Sequence, residues 1–206
     1  MRHITRGLAM LAAGLLLSLS CSAQGHSQQT KGESKMNIKQ PGKALVVYFS
    51  HAGENYGVGN IKVGNTKLVA REICKVTGAD EFEIVPEKSY DMPYSDLTRL
   101  AKEEAERGEK PAFKGGVKNL ERYSTIYIGG PIWWGTYPRV MFTFFSKYDL
   151  NGKTIIPFST HEGSGLGSVV SDLKRIYPKA KFGKAFSIYG HECQKDLSPV
   201  DRWLGK

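Results

Sequence analysis

The sequence predicts an α/β fold, a three-layer α/β/α sandwich built on a five-stranded parallel sheet of order 2-1-3-4-5. Three observations predict it. The strand candidates are short, continuous apolar runs, as in sheets covered on both faces. Strand and helix candidates alternate along the chain, which gives parallel crossover units. Finally, the two loops richest in ligand-binding character follow the first and third strands, where this strand order opens a crevice at the carboxyl ends.

Each element has its own local reason. Ala44-Leu45-Val46-Val47-Tyr48-Phe49-Ser50 is an unbroken apolar run of strand length. Residues 66–76 then take helical spacing, and Gly78 stops them. Residues 81–85 alternate and read as the second strand, closed by Pro86. A charged amphipathic helix over 96–107 ends at Gly108. Residues 125–130 form a third, buried strand, followed by a helix over 138–147 with Pro138 at its start. The fourth strand covers 154–159, the next helix 167–177 and the fifth strand 184–189. The last helix carries a start signal: Ser198 as N-cap, Pro199 at the first position and Asp201 in the first turn.

Three segments divide the chain of 206 residues. Residues 1–23 read as an export signal: Arg2 and Arg6 form the charged region, and the apolar stretch over 8–19 is too short to span a bilayer. Leu17-Ser18-Leu19-Ser20-Cys21 resembles a bacterial lipobox, with Ser18 where a large aliphatic residue is usual, so Cys21 is the expected lipidation site. Such a chain belongs in the cell envelope of a bacterium, periplasmic or tethered to the membrane through Cys21. Residues 24–42 are polar and lack apolar periodicity, as expected of a flexible tether. The globular domain is 43–206.

Net charge is +9, and Arg2 and Arg6 of the leader carry two of those charges. The remaining Lys and Arg are scattered, often beside Asp or Glu, which argues against a nucleic-acid partner. Cys74 falls on the apolar face of a helix and reads as core, whereas Cys193 lies in a polar stretch; their pairing is left open.

Two constellations carry chemistry. After the first strand, Ser50-His51-Ala52-Gly53-Glu54-Asn55 and then Gly64-Asn65-Thr66 bring hydroxyls and backbone amides to a helix N-terminus, where a phosphate is favoured without Lys or Arg. With Gly53, Gly57, Gly59 and Gly64 the loop is longer than a simple turn needs. After the third strand, Gly130-Pro131-Ile132-Trp133-Trp134-Gly135 displays two indoles, with Trp134 the expected ring contact. A phosphate cradle beside an aromatic slot suits a ligand with a phosphate tail and a flat ring, and FMN is the leading candidate. Indole stacked on such a ring shields it from water, which penalises an anionic reduced form. Thr160-His161-Glu162-Gly163-Ser164-Gly165 follows the fourth strand at the same rim, where His161 could hydrogen-bond the ring or move a proton.

Other textual matches fail. Gly152-Lys153-Thr154 resembles the end of a P-loop, but Lys147 stands where the first glycine belongs and the segment enters a strand. Gly163 and Gly165 lack the third glycine of a dinucleotide fingerprint, which is Ser168 here. Glu162 and Leu166 replace the glycines that would make Ser164 a nucleophile elbow, and His191-Glu192-Cys193 lacks zinc spacing.

Over roughly residues 43–204 the chain resembles the flavodoxin family, and within it a bacterial branch with an expanded phosphate loop and a P-x-W-W-G third-strand loop. The matching stretches are Tyr48-Phe49-Ser50, Gly64-Asn65-Thr66, Pro131-Ile132-Trp133-Trp134-Gly135 and Thr160-His161-Glu162-Gly163-Ser164-Gly165. The resemblance implies an FMN-binding electron-transfer protein. By position, it implies that Ser50, His51, Ala52, Asn65 and Thr66 hold the phosphate and that Pro131, Ile132, Trp133, Trp134 and Gly135 flank the ring. It further implies that Gly135 could offer its carbonyl to the N5–H of the flavin semiquinone and that Thr160, His161, Gly163, Ser164 and Gly165 line the far edge. Flavodoxins are typically acidic and cytoplasmic; this chain is basic and carries a leader, so their basic redox partners need not apply. The expected partner is a redox protein or a small electron acceptor. The alternative is an FMN-dependent NAD(P)H:quinone or nitro reductase.

Overall fold

In the computed structural model, residues 42–206 are described. The leader over 1–23, Cys21 and the tether as far as residue 41 lie outside the described residues. Among the described residues, no helix is long and apolar enough to cross a membrane.

The elements run β1 (Lys43–Tyr48), β2 (Gly53–Asn55), β3 (Gly59–Ile61), α1 (Asn65–Thr77), β4 (Asp80–Glu83), β5 (Val85–Pro86), α2 (Tyr94–Arg107), β6 (Phe113–Lys114) and a 3₁₀ turn (Leu120–Arg122). They continue with β7 (Tyr123–Pro131), α3 (Arg139–Lys147), β8 (Thr154–His161), α4 (Val169–Ile176), β9 (Lys181–Phe182), β10 (Phe186–Tyr189), α5 (Gly190–Cys193) and α6 (Ser198–Trp203). The main sheet has the order β10-β8-β7-β1-β4, and all its pairs are parallel. Counted as five strand positions this is 2-1-3-4-5, as the sequence predicts.

Side chains on β1 alternate between the two faces of the sheet, the period of two expected of a strand. Leu45, Val47 and Phe49 enter one core with Val140, Met141, Phe144 and Leu173, while Val46 and Tyr48 enter the other with Val69, Ala70, Ile73 and Val200. Two glycines on β7 allow close packing at the rim. A Cβ on Gly129 would stand 2.0 Å from the Phe158 ring, and one on Gly130 would stand 2.6 Å from the Met141 sulfur. Tyr137, fully buried, donates its hydroxyl hydrogen toward the carbonyls of Ile128 (2.7 Å) and Phe158 (2.8 Å), tying the tryptophan loop to β7 and β8.

Several local expectations are corrected. Residues 53–61 form an antiparallel hairpin, β2-β3, rather than an irregular loop. The fifth strand is split: β9 pairs with the start of β8 and β10 with its end, across a break at Gly183, where a Cβ would meet Ile156 at 2.9 Å. Ser198 does not cap α6; it is the helix's first residue, and Asp196 accepts from both its amide (2.8 Å) and its hydroxyl (2.7 Å). Cys193 is buried in α5 instead of lying in a polar loop, and burial pushes its thiol up to about 12. Cys74 and Cys193 are both free.

Candidate functional site

The turns after β1, β7 and β8 converge on one cleft of about 350 Å³ at the carboxyl rim of the sheet. Of the residues singled out from the sequence, His51, Asn65, Thr66, Pro131, Ile132, Trp133, Trp134, Gly135, Thr160, His161 and Ser164 line it. Ser50, Ala52, Gly163 and Gly165 are not among the lining residues.

At one end stands the N-terminus of α1. Its first amides have no intrahelical acceptor and face the site with the positive end of the helix dipole. Gly64 lets the strand turn pack directly beneath: a Cβ there would lie 2.3 Å from the Ser50 Oγ and 2.5 Å from the His51 carbonyl oxygen. The Ser50 hydroxyl accepts from the Lys67 amide at 3.0 Å, which caps the head of α1 and leaves its own O–H to donate. Thr66 and Thr160, both buried, share a hydrogen bond of 2.7 Å between hydroxyls, which ties α1 to the end of β8.

Trp133 is bridged to Thr136, and the turn between them has positive φ at both central residues: 50° at Trp134 and 86° at Gly135. Glycine takes the second position freely; at the first, a tryptophan in the left-handed region is uncommon. The contacts around it hold it there. Trp134 Nε1 donates to the Thr98 carbonyl on α2 at 3.0 Å, and the Lys102 ammonium lies 5.4 Å from the ring centroid. The ring remains 54% exposed at the cleft mouth. Trp133 turns inward, edge-on to Phe49, Tyr90 and His51. The Gly135 carbonyl accepts from the Ser168 amide at 2.8 Å, which anchors the turn to the start of α4. Asp172 braces the same turn, accepting from the hydroxyls of Thr136 and Ser168.

The third wall is the turn after β8. His161 Nδ1 accepts from the Gly163 amide at 2.9 Å, which leaves the proton of the neutral ring on Nε2. Burial lowers the His161 pKa, against the opposing pull of Glu162 and Glu192. The Gly165 carbonyl accepts from the Ser159 hydroxyl, so Gly163 and Gly165 shape this turn from outside the cleft. Glu162 lines the cleft and accepts from both the amide (2.9 Å) and Nδ1 (2.6 Å) of His191.

Two further walls have no motif to announce them. The β2-β3 hairpin brings Glu54, Asn55 and Tyr56 to the cleft, and α2 brings Tyr94, Leu97, Thr98 and Ala101. The Glu54 carboxylate accepts from the Tyr94 amide at 2.8 Å, at the helix end where a negative charge is favoured. Tyr56 stacks on Tyr94 with centroids 6.2 Å apart. The glycine-rich spacing of the loop signalled an insertion; nothing in the stripe of α2 separated cleft-lining positions from core.

His51 is the outlier of the site. It is only 9% exposed, its Nε2 has no hydrogen-bond partner, and it lines the cleft. Burial lowers its pKa, partly offset by a hydrogen bond with the Glu54 backbone and by the Asp91 carboxylate. Nε2 is fully enclosed by protein and stands beside Gly53, which does not line the cleft. Among the described residues, no group of three or more His, Cys, Asp or Glu converges to hold a metal.

Comparison with known proteins agrees with this architecture. The flavodoxin family model matches residues 43–205. A candidate flavoprotein from Bacteroides uniformis ATCC 8492 is 31% identical with a TM-score of 0.66, covering 81% of this chain and 100% of its own. Another, from Bacteroides eggerthii DSM 20697, is 29% identical with a TM-score of 0.63, over 79% of this chain and 96% of its own. A flavoprotein from Lactobacillus acidophilus NCFM, solved in complex with FMN, is 21% identical with a TM-score of 0.57, over 79% of this chain and 99% of its own. No curated protein matches the chain.

Proposed function

The chain belongs to the flavodoxin family, and from that premise we propose that it binds FMN in this cleft and carries electrons between redox partners. The observation that carries the reading is the convergence of a helix N-terminus, two indoles and the turn after β8 on one cavity. The residues present fit the cofactor. The amides of Asn65 and Thr66 and the Thr66 hydroxyl supply donors for a phosphate dianion. Trp133 and Trp134 supply apolar faces for a flat ring, and Thr160, His161 and Ser164 supply polar atoms along a further wall.

When bound, FMN supplies one- and two-electron redox chemistry. The protein supplies binding, orientation and a dry environment. Trp134, Tyr56 and Tyr94 line the cleft, and Asp172 and Ser168 hold the tryptophan turn in place.

The alternative, an FMN-dependent reductase of quinones or nitro compounds, also needs a nicotinamide site, and the sequence carries no dinucleotide fingerprint. The partner is then a redox protein or a small acceptor that reaches the exposed edge. For the location, the sequence of residues 1–23 supports the bacterial cell envelope, with Cys21 as a lipid anchor.

Steady-state oxidation of NAD(P)H with a quinone by the FMN-loaded protein tests the choice. The carrier reading predicts no sustained turnover, and rapid turnover would make the protein a reductase.

A further inference from the structure

The cleft proposed for an anionic cofactor has a carboxylate in its wall. Glu162 lines the cavity at the place where the turn after β8 meets the head of α1 and the start of α5. Gly190 marks that place. A Cβ there would stand 2.7 Å from Glu162 Oε1 and 2.2 Å from Nδ2 of Asn65, the first residue of α1 and itself a lining residue. From the hairpin, a Cβ on Gly57 would stand 3.3 Å from the same carboxylate. The charge therefore sits beside the helix end that the FMN reading gives to the phosphate, where a second anion is repelled.

One group offsets it. Glu162 accepts from the His191 amide at 2.9 Å and pairs with His191 Nδ1 at 2.6 Å. The imidazole is 43% exposed and so exchanges protons with water, whereas the Glu162 side chain is 16% exposed. Around His191 stand Tyr189, with ring centroids 5.1 Å apart, Glu192 and Cys193 on α5, and His161, which packs on the same Tyr189 ring at 4.5 Å. Histidine is the side chain that changes charge near neutral pH. Burial lowers the pKa of His161 against the pull of Glu162 and Glu192, and burial pushes the Cys193 thiol up to about 12, so neither supplies a cation there. With a proton on His191 the pair has no net charge; without it, the wall carries a full negative charge.

Resting on the FMN reading above, we propose that the Glu162–His191 pair makes phosphate binding proton-dependent: FMN binds with uptake of a proton on His191. The pair is thereby a determinant of selectivity for the phosphorylated flavin. Its effect is electrostatic and needs no contact between either side chain and the phosphate.

Affinities of the full chain for FMN and riboflavin, followed by quenching of flavin fluorescence at about pH 6 and about pH 9, test the pair. Each variant is compared with wild type at the same pH, which cancels the titration of the phosphate itself, whose second pKa is about 6. His191→Gln, which takes no proton, is expected to weaken FMN by about tenfold at the lower pH and to match wild type at the higher one, with riboflavin unchanged at both. Glu162→Gln, which keeps an acceptor for the His191 amide, is expected to bind FMN about fivefold tighter than wild type at the higher pH. A folding defect cannot produce that gain, so this arm decides even where His191→Gln folds poorly. A loss in well-folded His191→Gln of equal size at both pH values, or one shared by riboflavin, would overturn the proposal, as would a Glu162→Gln variant no tighter than wild type. A wild-type chain that binds neither flavin would overturn the FMN reading, and the proposal falls with it.

Discussion

The hydroxyls of Thr66 and Thr160 lie 2.7 Å apart across 94 residues of sequence, joining the head of α1 to the end of β8 under the floor of the cleft. Both are buried, so removing one leaves the other without its partner. Thr66→Val and Thr160→Val are each expected to destabilise the flavin-free protein by about 1–3 kcal/mol. The double variant is expected to cost clearly less than the sum, because one interaction is lost in all three. Urea melts of the cycle measure this. In the same series, Thr66→Val is expected to weaken FMN more than riboflavin, since only FMN brings a phosphate to α1.

Trp134 has the opposite profile: exposed, strained and held by a single hydrogen bond to α2. Trp134→Ala is expected to weaken FMN by about 1–3 kcal/mol, the worth of a lost stacking aromatic, with little change in the melting of the flavin-free protein. Fluorescence titration and thermal melts, run side by side, check both halves. Unchanged FMN affinity would remove Trp134 from the site.

Most of this arrangement is legible in the sequence because it rests on local signals. Continuous apolar runs marked the strands, and the order followed from where the glycine-rich and tryptophan loops fell. The remainder depends on pairings with no local pattern. Residues 53–61 are short of apolar side chains, so no alternation announced a hairpin. Tyr94, Leu97 and Ala101 sit in a stripe that reads as core, and only the fold shows that part of it faces a cavity. Nothing local announces that the Ser50 hydroxyl also accepts from the Lys67 amide. The same is true of the Gly135 carbonyl, which accepts from the Ser168 amide.

Behind the aromatic wall, the buried Glu104 accepts the Tyr90 hydroxyl at both oxygens (2.9 and 3.1 Å), and Tyr90 packs edge-on to Trp133. Burial raises the Glu104 pKa, against the opposing hydrogen bond from Tyr90. The folded protein therefore holds this proton to higher pH than the unfolded chain, and stability falls as pH rises from the unfolded value through the folded one. Glu104→Gln retains an acceptor for Tyr90 without the charge and is expected to be close to neutral at pH 7. Glu104→Ala, which strands the Tyr90 hydroxyl, is expected to cost about 1–3 kcal/mol. Chemical denaturation at two pH values distinguishes these outcomes.

His51 gives a pH dependence of the other sign. Burial holds its folded pKa below the ordinary imidazole value of 6.5, so on acidification the unfolded chain takes the proton first. Its contribution is fully present above the unfolded pKa, is lost as pH falls through that value, and levels off below the folded one. Melts of the flavin-free protein from about pH 8 to about pH 5 are expected to show a steeper loss of stability in wild type than in His51→Gln. Parallel curves would mean that His51 is protonated alike in both states.

The central claim is that three turns and a helix N-terminus grip a single FMN. Titrating the purified, flavin-free protein with FMN while following flavin fluorescence and the visible spectrum tests it most directly. Saturable quenching at one FMN per chain, with a shifted flavin absorption band, is the predicted result. Fluorescence and spectrum equal to those of free FMN at every protein concentration would contradict it.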